Sequence, residues 1–580
     1  MRKTSLFVLF VAGTASFLAA ASGFLAGCGS SGNAASGAST DGGTGGDIVT
    51  AADVGVPMPP GCTAMVSEES CDKTRRPFVF VHGTYGSGDN FENVASLLTS
   101  NGYCADHIVA VEYDSLGDNP GNDCTAPNTP QGCGKIDAVV NAILAKFTDD
   151  AGVPLFTQVD LAGHSQGTEH CGIYLGTGGV GAHADKVAHY FNFSGIPNVG
   201  SVPTLSLSSQ HDLDVCPHHA TTGQSPAGTS ICAFAETADG GTTPIAPVTQ
   251  LSGMCSVAAD GGTAGGETGD AGADDGGPGC TLTQYTFVNQ DHFAVAASKG
   301  TFVQVYKFLN NGQEPQYTDV QCGDDPVTIE GLGETFADNT PVTGKIEIRK
   351  VTTPRALGPP DQTVMPDANG LDGGAMSGHF ITTVSRNVFY EFAGYAADGT
   401  LLGYQYFTPF KRTNRLVRLL APASGSDGTG ALGASIAAMT TGKATSTPKA
   451  STVIARWYGG AFRMDLGASL QVNGSETLSA QAAGAPTTSG NLIGGTVGLF
   501  LEDQNGNTTS TLGLVASAPF IAFTDVYMQA TTPAFIPMTF TAGSEDTDKV
   551  SVPVVLSNWP SQVAADGGTP QQLLLSVIFQ

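Results

Sequence analysis

From Pro77 to about Gly312 the apolar positions follow two rhythms that alternate along the chain. Short, nearly unbroken apolar runs at 78–81, 108–111, 158–162, 190–193, 203–207 and 281–288 have the length and composition of buried strands. Between them the period lengthens. Phe91, Val94, Ala95 and Leu98 recur at i, i+3, i+4 and i+7, and 136–147, 168–175 and 293–309 read as helices. Alternation of this kind predicts an α/β fold: a mostly parallel sheet with helices on both faces and any site beyond the carboxyl ends of the strands. After Gly312 the helical rhythm stops. Segments 345–349, 380–384, 388–395 and 401–407 look like strands, with Ala397-Asp398-Gly399 as a hairpin turn. A Gly/Ser/Thr stretch from about 422 to 448 separates these from a further strand-rich region that includes 453–458, 496–501 and 522–528. The expected layout is an α/β domain at 61–312, then two β-sandwich-like domains at 323–422 and 449–580.

The remaining segments change the picture at the ends. Met1-Arg2-Lys3 and the apolar run from Leu6 to Gly27 have the form of a secretion signal, 1–27. Leu25-Ala26-Gly27-Cys28 resembles the bacterial lipobox, which implies cleavage before Cys28, lipidation of Cys28 and attachment to a membrane. Gly29 is not the aspartate associated with inner-membrane retention, so the resemblance implies an outer-membrane lipoprotein; plain secretion is the alternative. Residues 28–60 are Gly, Ser, Ala, Thr and Asp with little apolar content, a flexible linker. An Asp/Gly/Ala tract at 256–279, between Cys255 and Cys280, reads as a disordered surface insertion.

Composition limits the function classes. The chain has 580 residues, enough for two to four domains, and a net charge of −28, which argues against a nucleic-acid partner. Setting Cys28 aside leaves 11 of the 12 cysteines, all between Cys62 and Cys322. In an oxidising compartment most of them should pair. Neighbours in sequence suggest Cys62–Cys71, Cys124–Cys133, Cys216–Cys232 and Cys255–Cys280, with connectivity open and one thiol left over.

The candidate chemistry centres on Gly163-His164-Ser165-Gln166-Gly167, a G-x-S-x-G pattern. With 77 glycines in the chain, chance supplies roughly 0.7 such matches, so context carries the argument. An apolar strand precedes the pattern and a helix follows it, which is the setting of a serine nucleophile on a strained strand-to-helix turn. Ser165 then needs a base, and the base needs a carboxylate to fix its tautomer. Of the 11 histidines, His292 in Asn289-Gln290-Asp291-His292-Phe293 lies between the last strand and the final helix of the α/β region. Asp212 comes first after the 203–207 strand and is the candidate acid, with Asp214 as its rival. An oxyanion hole needs two backbone N–H groups; Gln166 follows the nucleophile, and Thr84 in His82-Gly83-Thr84 follows the first strand. His211, Cys216, His218 and His219 cluster in sequence, but their spacing matches no standard zinc pattern.

The series V-H-G-T-Y-G, N-G-Y, V-D-L-A-G-H-S-Q-G, S-G-I-P and D-H-F resembles the bacterial triacylglycerol lipases of the α/β-hydrolase superfamily over residues 77–310. The resemblance implies hydrolysis of carboxylic esters, lipids among them, through an acyl-enzyme and without a cofactor or metal. Ser165 would be the nucleophile, His292 the base and then the acid, and Asp212 the orienting carboxylate. A departure from the family is Thr168, where such lipases commonly have glycine. The β regions carry no catalytic pattern and are expected to bind a polymer or surface, or to act as spacers. In them Lys411, Arg412, Arg415 and Arg418 read as a solvated strand edge, and Trp457 and Trp559 as either core or ligand platforms.

Overall fold

The computed structural model describes residues 62–115, 132–176, 183–195, 202–209, 234–236, 242–244, 282–287, 290, 292–336, 339–351, 359–366, 378–422, 452–459, 462–463, 468–472, 474–477, 492–493, 496–500, 521–525, 535–541, 549–555 and 574–579. Cys28 and the lipobox, the 256–279 tract, Asp212 and Asp214, the 211–219 histidine cluster and Trp559 lie outside them.

The apolar runs form β1 (Phe78–Val81), β2 (Ile108–Val111), β3 (Val159–His164), β4 (Val187–Phe193), β5 (Thr204–Ser209) and, after a short ribbon of β6 (Phe234–Glu236) and β7 (Thr242–Pro244), β8 (Leu282–Phe287). Six of them hydrogen-bond as one sheet in the order β2-β1-β3-β4-β5-β8, every pair parallel. A strand covered on both faces must be apolar at every position rather than at alternate ones, and β1 illustrates this. Phe78 and Phe80 pack with Phe91, Phe191 and Phe302 in one core, while Val79 and Val81 pack with Ile136, Val140 and Tyr174 in another on the opposite face.

The helices are α1 (Glu92–Ser100), α2 (Gly132–Lys146), α3 (Gln166–Tyr174), α4 (Ala294–Ala297) and α5 (Lys299–Leu309). The expected final helix at 293–309 is therefore two helices. Ser298 takes an extended conformation between them (φ −74°, ψ 157°), and its hydroxyl accepts from Thr301 N at 3.1 Å, the bond of an N-cap.

Two disulfides replace the expected local pairing of Cys62 with Cys71. Cys62 bonds Cys322 and Cys71 bonds Cys104. Partners close in sequence lost to partners close in space: Val66 N donates to Cys322 O (2.8 Å) and Cys322 N to Ala64 O (3.3 Å), which seats Cys322 beside the segment that carries Cys62. Cys171 is free and buried, and burial pushes its thiol well up in pKa. The three other proposed pairs include cysteines outside the described residues.

Beyond Cys322 the regular elements among the described residues are all strands. β9 (Val327–Thr335), β12 (His379–Val384) and β15 (Asn414–Ala421) form a three-stranded sheet, with β9 in the centre. β10 (Ile346–Lys350), β11 (Gln362–Val364), β13 (Tyr390–Tyr395) and β14 (Leu401–Phe407) form one half of an eight-stranded sheet. The other half is β16 (Thr452–Trp457), β21 (Thr496–Phe500), β22 (Ile521–Asp525) and β25 (Leu574–Phe579). β25 lies between β14 and β16, parallel to both, so the regions on either side of 423–451 share a sheet instead of each closing its own. The smaller pieces are a ribbon of β17 (Phe462–Arg463) with β20 (Leu492–Ile493), and a sheet of β18 (Ser469–Val472), β19 (Ser475–Glu476), β23 (Phe535–Thr541) and β24 (Lys549–Val555). The result is a six-stranded parallel sheet with helices, followed by mixed and antiparallel β sheets.

The β region is packed into the α/β region. Leu416 of β15 belongs to the same core as Phe91, Val94 and Leu98. Arg412 and Arg418, read from sequence as a solvated edge, are each 3% exposed. Arg412 donates to Ser100 Oγ (3.0 Å) and Thr99 O (2.9 Å) at the end of α1. Trp457 is half-buried, with its ring 4.9 Å from that of Phe540, a packing role.

Candidate active site

In a parallel sheet a crevice opens where successive connections leave in opposite directions. Here that point is between β1 and β3, because β2 lies on one side of β1 and the rest of the sheet on the other. The carboxyl ends of these two strands carry His82-Gly83-Thr84 and Ser165.

Ser165 has φ 52° and ψ −123°, a conformation that costs a non-glycine residue on the order of 1–3 kcal/mol. The surroundings hold it there: Ser165 N donates to Phe193 O at 3.0 Å, and α3 starts at the next residue. The flanking glycines are needed for space. A Cβ on Gly167 would strike the Val81 carbonyl and come within 2.5 Å of His82 O, and one on Gly163 would lie 2.8 Å from Gly167 O. Gly83 is tight for the same reason, since its Cβ would sit 2.7 Å from that of Ser165. The first-strand loop and the serine turn are in direct contact.

Thr84 and Gln166, the two residues expected to supply oxyanion donors, face each other. The Thr84 hydroxyl donates to Gln166 Oε1 at 2.9 Å. Both residues are half-buried, as is Ser165. Thr84 sits in a turn closed by Gly86 N donating to Gly83 O (3.0 Å), and Tyr85 beside it has φ 61°.

His292 is 7% exposed and is placed beside the serine turn. Its carbonyl lies 2.9 Å from His164 Nε2, and the two imidazole rings stand 4.7 Å apart, centre to centre. His164 immediately precedes Ser165, so it couples the turn to the segment that carries His292. The acid candidates lie outside the described residues, but the strand leading to them ends against that same segment. The Ser209 hydroxyl, at the end of β5, donates to Gln290 O and lies 3.3 Å from Phe287 O. Thr168, the departure from the family pattern, is buried and donates its hydroxyl to Ser165 O at 2.7 Å.

Behind the first-strand loop is a buried polar layer shared with the β region, which the sequence reading missed. Asp89, fully buried, accepts from Arg456 Nη1 (2.5 Å), Ser87 Oγ (2.5 Å) and the Tyr458 hydroxyl. Glu112 accepts from Arg418 Nε (2.8 Å) and Gly88 N (2.8 Å) and lies 3.2 Å from His82 Nε2. Burial pushes the Glu112 carboxyl up, but the Arg418 guanidinium and His82 outweigh it and hold it at about 2. Burial and a neighbouring carboxylate (Asp89 and Glu112 respectively) push Glu92 and Glu334 well above the usual carboxylate range. In this layer Arg456 pairs with Asp89 and Arg418 with Glu112. A signal for this was present: Arg418 sits in Asn414-Arg415-Leu416-Val417-Arg418-Leu419-Leu420, apolar on both faces, which is no solvated edge.

Cys104, Asp106 and His107 bring ligand atoms within 4.8 Å of one another, but the Cys104 sulfur is in a disulfide and His107 Nδ1 lies 2.8 Å from Arg75 O. That grouping offers no open metal site.

No protein-family model and no curated protein sequence matches the chain. Solved structures similar to it include an extracellular α/β-hydrolase from a Paenibacillus species, 18% identical over 21% of this chain and 42% of that one, TM-score 0.15. A Bacillus licheniformis lipase in its propeptide form is 11% identical, over 84% of this chain and 94% of that one, TM-score 0.24. A phospholipase from Legionella pneumophila is 9% identical, over 60% and 93%, TM-score 0.22. The chain spans less than half of the first of these.

Proposed function

We propose that this chain is a serine hydrolase that cleaves carboxylic esters through an acyl-enzyme. The observation that carries the reading is Ser165, held at positive φ in the crevice between β1 and β3 and touching the loop that holds Thr84. A serine in that position exposes its hydroxyl at the strand ends, where a carbonyl carbon can approach it. The Ser165 hydroxyl attacks that carbon while His292 takes its proton; the carbonyl oxygen, now negative, receives the backbone N–H groups of Thr84 and Gln166. His292 then protonates the leaving alcohol, and water repeats the sequence to release the acid and restore Ser165. Asp212, with Asp214 as its rival, orients His292. The bond between the Thr84 and Gln166 side chains supports the oxyanion assignment, since it fixes both loops relative to Ser165 before substrate arrives. No step in this scheme calls for a metal or cofactor.

The two disulfides support an oxidising, extracytoplasmic location. With the lipobox at Cys28, the reading is an envelope-anchored enzyme acting on lipid or other ester substrates, the β region being available to a polymer or surface.

The test is hydrolysis of p-nitrophenyl esters of increasing chain length by the protein from Cys62 onward, beside Ser165→Ala. The expected result is a drop of roughly 10⁴-fold or more on losing the nucleophile. If wild type is inert and a fluorophosphonate fails to label Ser165, the chain is a binding protein on a hydrolase scaffold.

A further inference from the structure

We infer that Asn339, from the β region, is a positioning residue for the oxyanion loop, so that the β region is part of the catalytic apparatus. This rests on the ester-hydrolase reading above. Asn339 stands in the turn that follows β9, and its amide enters the α/β region between the loops that follow β1 and β2. Nδ2 donates to Gly86 O (2.9 Å) and Tyr113 O (3.1 Å) and lies 3.2 Å from His82 Nε2. Those contacts bracket Thr84: His82 is two residues before it and Gly86 two after. Tyr113 ties the same loop down, since its hydroxyl donates to His82 O (2.5 Å) and its ring stacks on the His82 imidazole at 4.3 Å and 7°.

The site is built for this contact. Asn339 is 8% exposed and has φ 47°, a left-handed conformation that asparagine tolerates better than most residues. The turn that presents it is closed on itself, with Thr335 N donating to Thr340 O (2.9 Å) and Thr340 N to Thr335 Oγ1 (2.9 Å). A second brace runs from Arg418 of β15 through Glu112 to His82. Among the described residues of the α/β region, Ser115 Oγ accepts from Tyr85 N (2.9 Å), but the Gly86 carbonyl is held from the β region alone. A loop whose N–H must meet a developing charge gains from being fixed beforehand, and a displacement of about 1 Å in such a group costs on the order of 100-fold in rate.

The experiment compares Asn339→Gly and Asn339→Asp with wild type in the chain from Cys62 onward. Glycine keeps the left-handed backbone and removes the amide; aspartate keeps the size and replaces donors by an acceptor. Active sites are counted by fluorophosphonate titration, and kcat and KM for p-nitrophenyl butyrate are expressed per titrated site. The expected result is a kcat per site lower by roughly 10- to 100-fold in both variants, with KM within about twofold. Loss of titratable sites with unchanged kcat per site means that Asn339 only stabilises the fold, and overturns the inference, as does a change confined to KM. If wild type itself cannot be titrated, the enzyme reading fails first. Activity in wild type with equal activity in both variants refutes the role of Asn339 alone.

Discussion

A Cβ on Gly195 would overlap the Thr168 hydroxyl and lie 2.6 Å from the Thr168 Cβ. The two residues are fitted to each other: the Thr168 side chain fills the space that Gly195 leaves open. Gly195→Ala should therefore destabilise the protein by about 1–3 kcal/mol, and Thr168→Gly should restore much of that loss; a double-mutant cycle of urea denaturation measures the coupling. A second residue-scale expectation concerns His170, on α3 after the serine turn. Among the described residues neither ring nitrogen has a hydrogen-bond partner. Burial, with the nearby His82 and Lys135, depresses its pKa to about 4. An unfolded chain binds this proton near pH 6.5, so the folded state loses stability as pH falls from there toward 4, by up to about 3 kcal/mol. His170→Phe should flatten that part of the stability–pH curve, and denaturation midpoints from pH 4 to 7 check it.

At the scale of elements, the β strands supply buried polar partners to the α/β region. Arg456 of β16 reaches Asp89 and Asn90 in the short helix before α1, and Asn414 of β15 donates to Glu92 at the start of α1. A buried ion pair is weak evidence of stabilisation as a whole, but breaking it leaves a charge stranded. Arg456→Met should cost about 3–5 kcal/mol and Asp89→Leu with Arg456→Met distinctly less, measured by guanidinium unfolding. The strands themselves were legible because a fully buried parallel strand has no polar alternation to confuse the pattern. The pairing between strands was not. β25 inserts between β14 and β16 from well over a hundred residues away, and no local period encodes that choice.

At the scale of the whole molecule, the Cys62–Cys322 bond joins the start of the α/β region to the entrance of the β region, across a sequence separation of 260. The two regions also share a core through Leu416 and a charge layer through Arg418 and Arg456. Residues 62–322 expressed alone should lack a cooperative thermal transition, because removing the β region exposes Phe91 and Val94 and strands Asp89, Glu92 and Glu112 without their partners. Calorimetry of that fragment beside the chain from Cys62 onward tests this; a sharp transition in the fragment would show that the regions fold independently.

The sequence by itself determined the local facts: the six buried strands, the glycine-flanked Ser165, the loop residues Thr84 and Gln166, and the segment carrying His292. Each depends on interactions within a few residues, where steric limits on φ and hydrophobic period act directly. Tertiary structure decided which distant groups meet. It paired Cys62 with Cys322 and Cys71 with Cys104, buried Arg412 and Arg418, merged strands from both β regions in one sheet and set Asn339 behind the loop that carries Thr84. Those outcomes follow from desolvated charges and cysteines taking the partner that the folded chain brings near, and nearness in space is not a property of any short stretch of sequence.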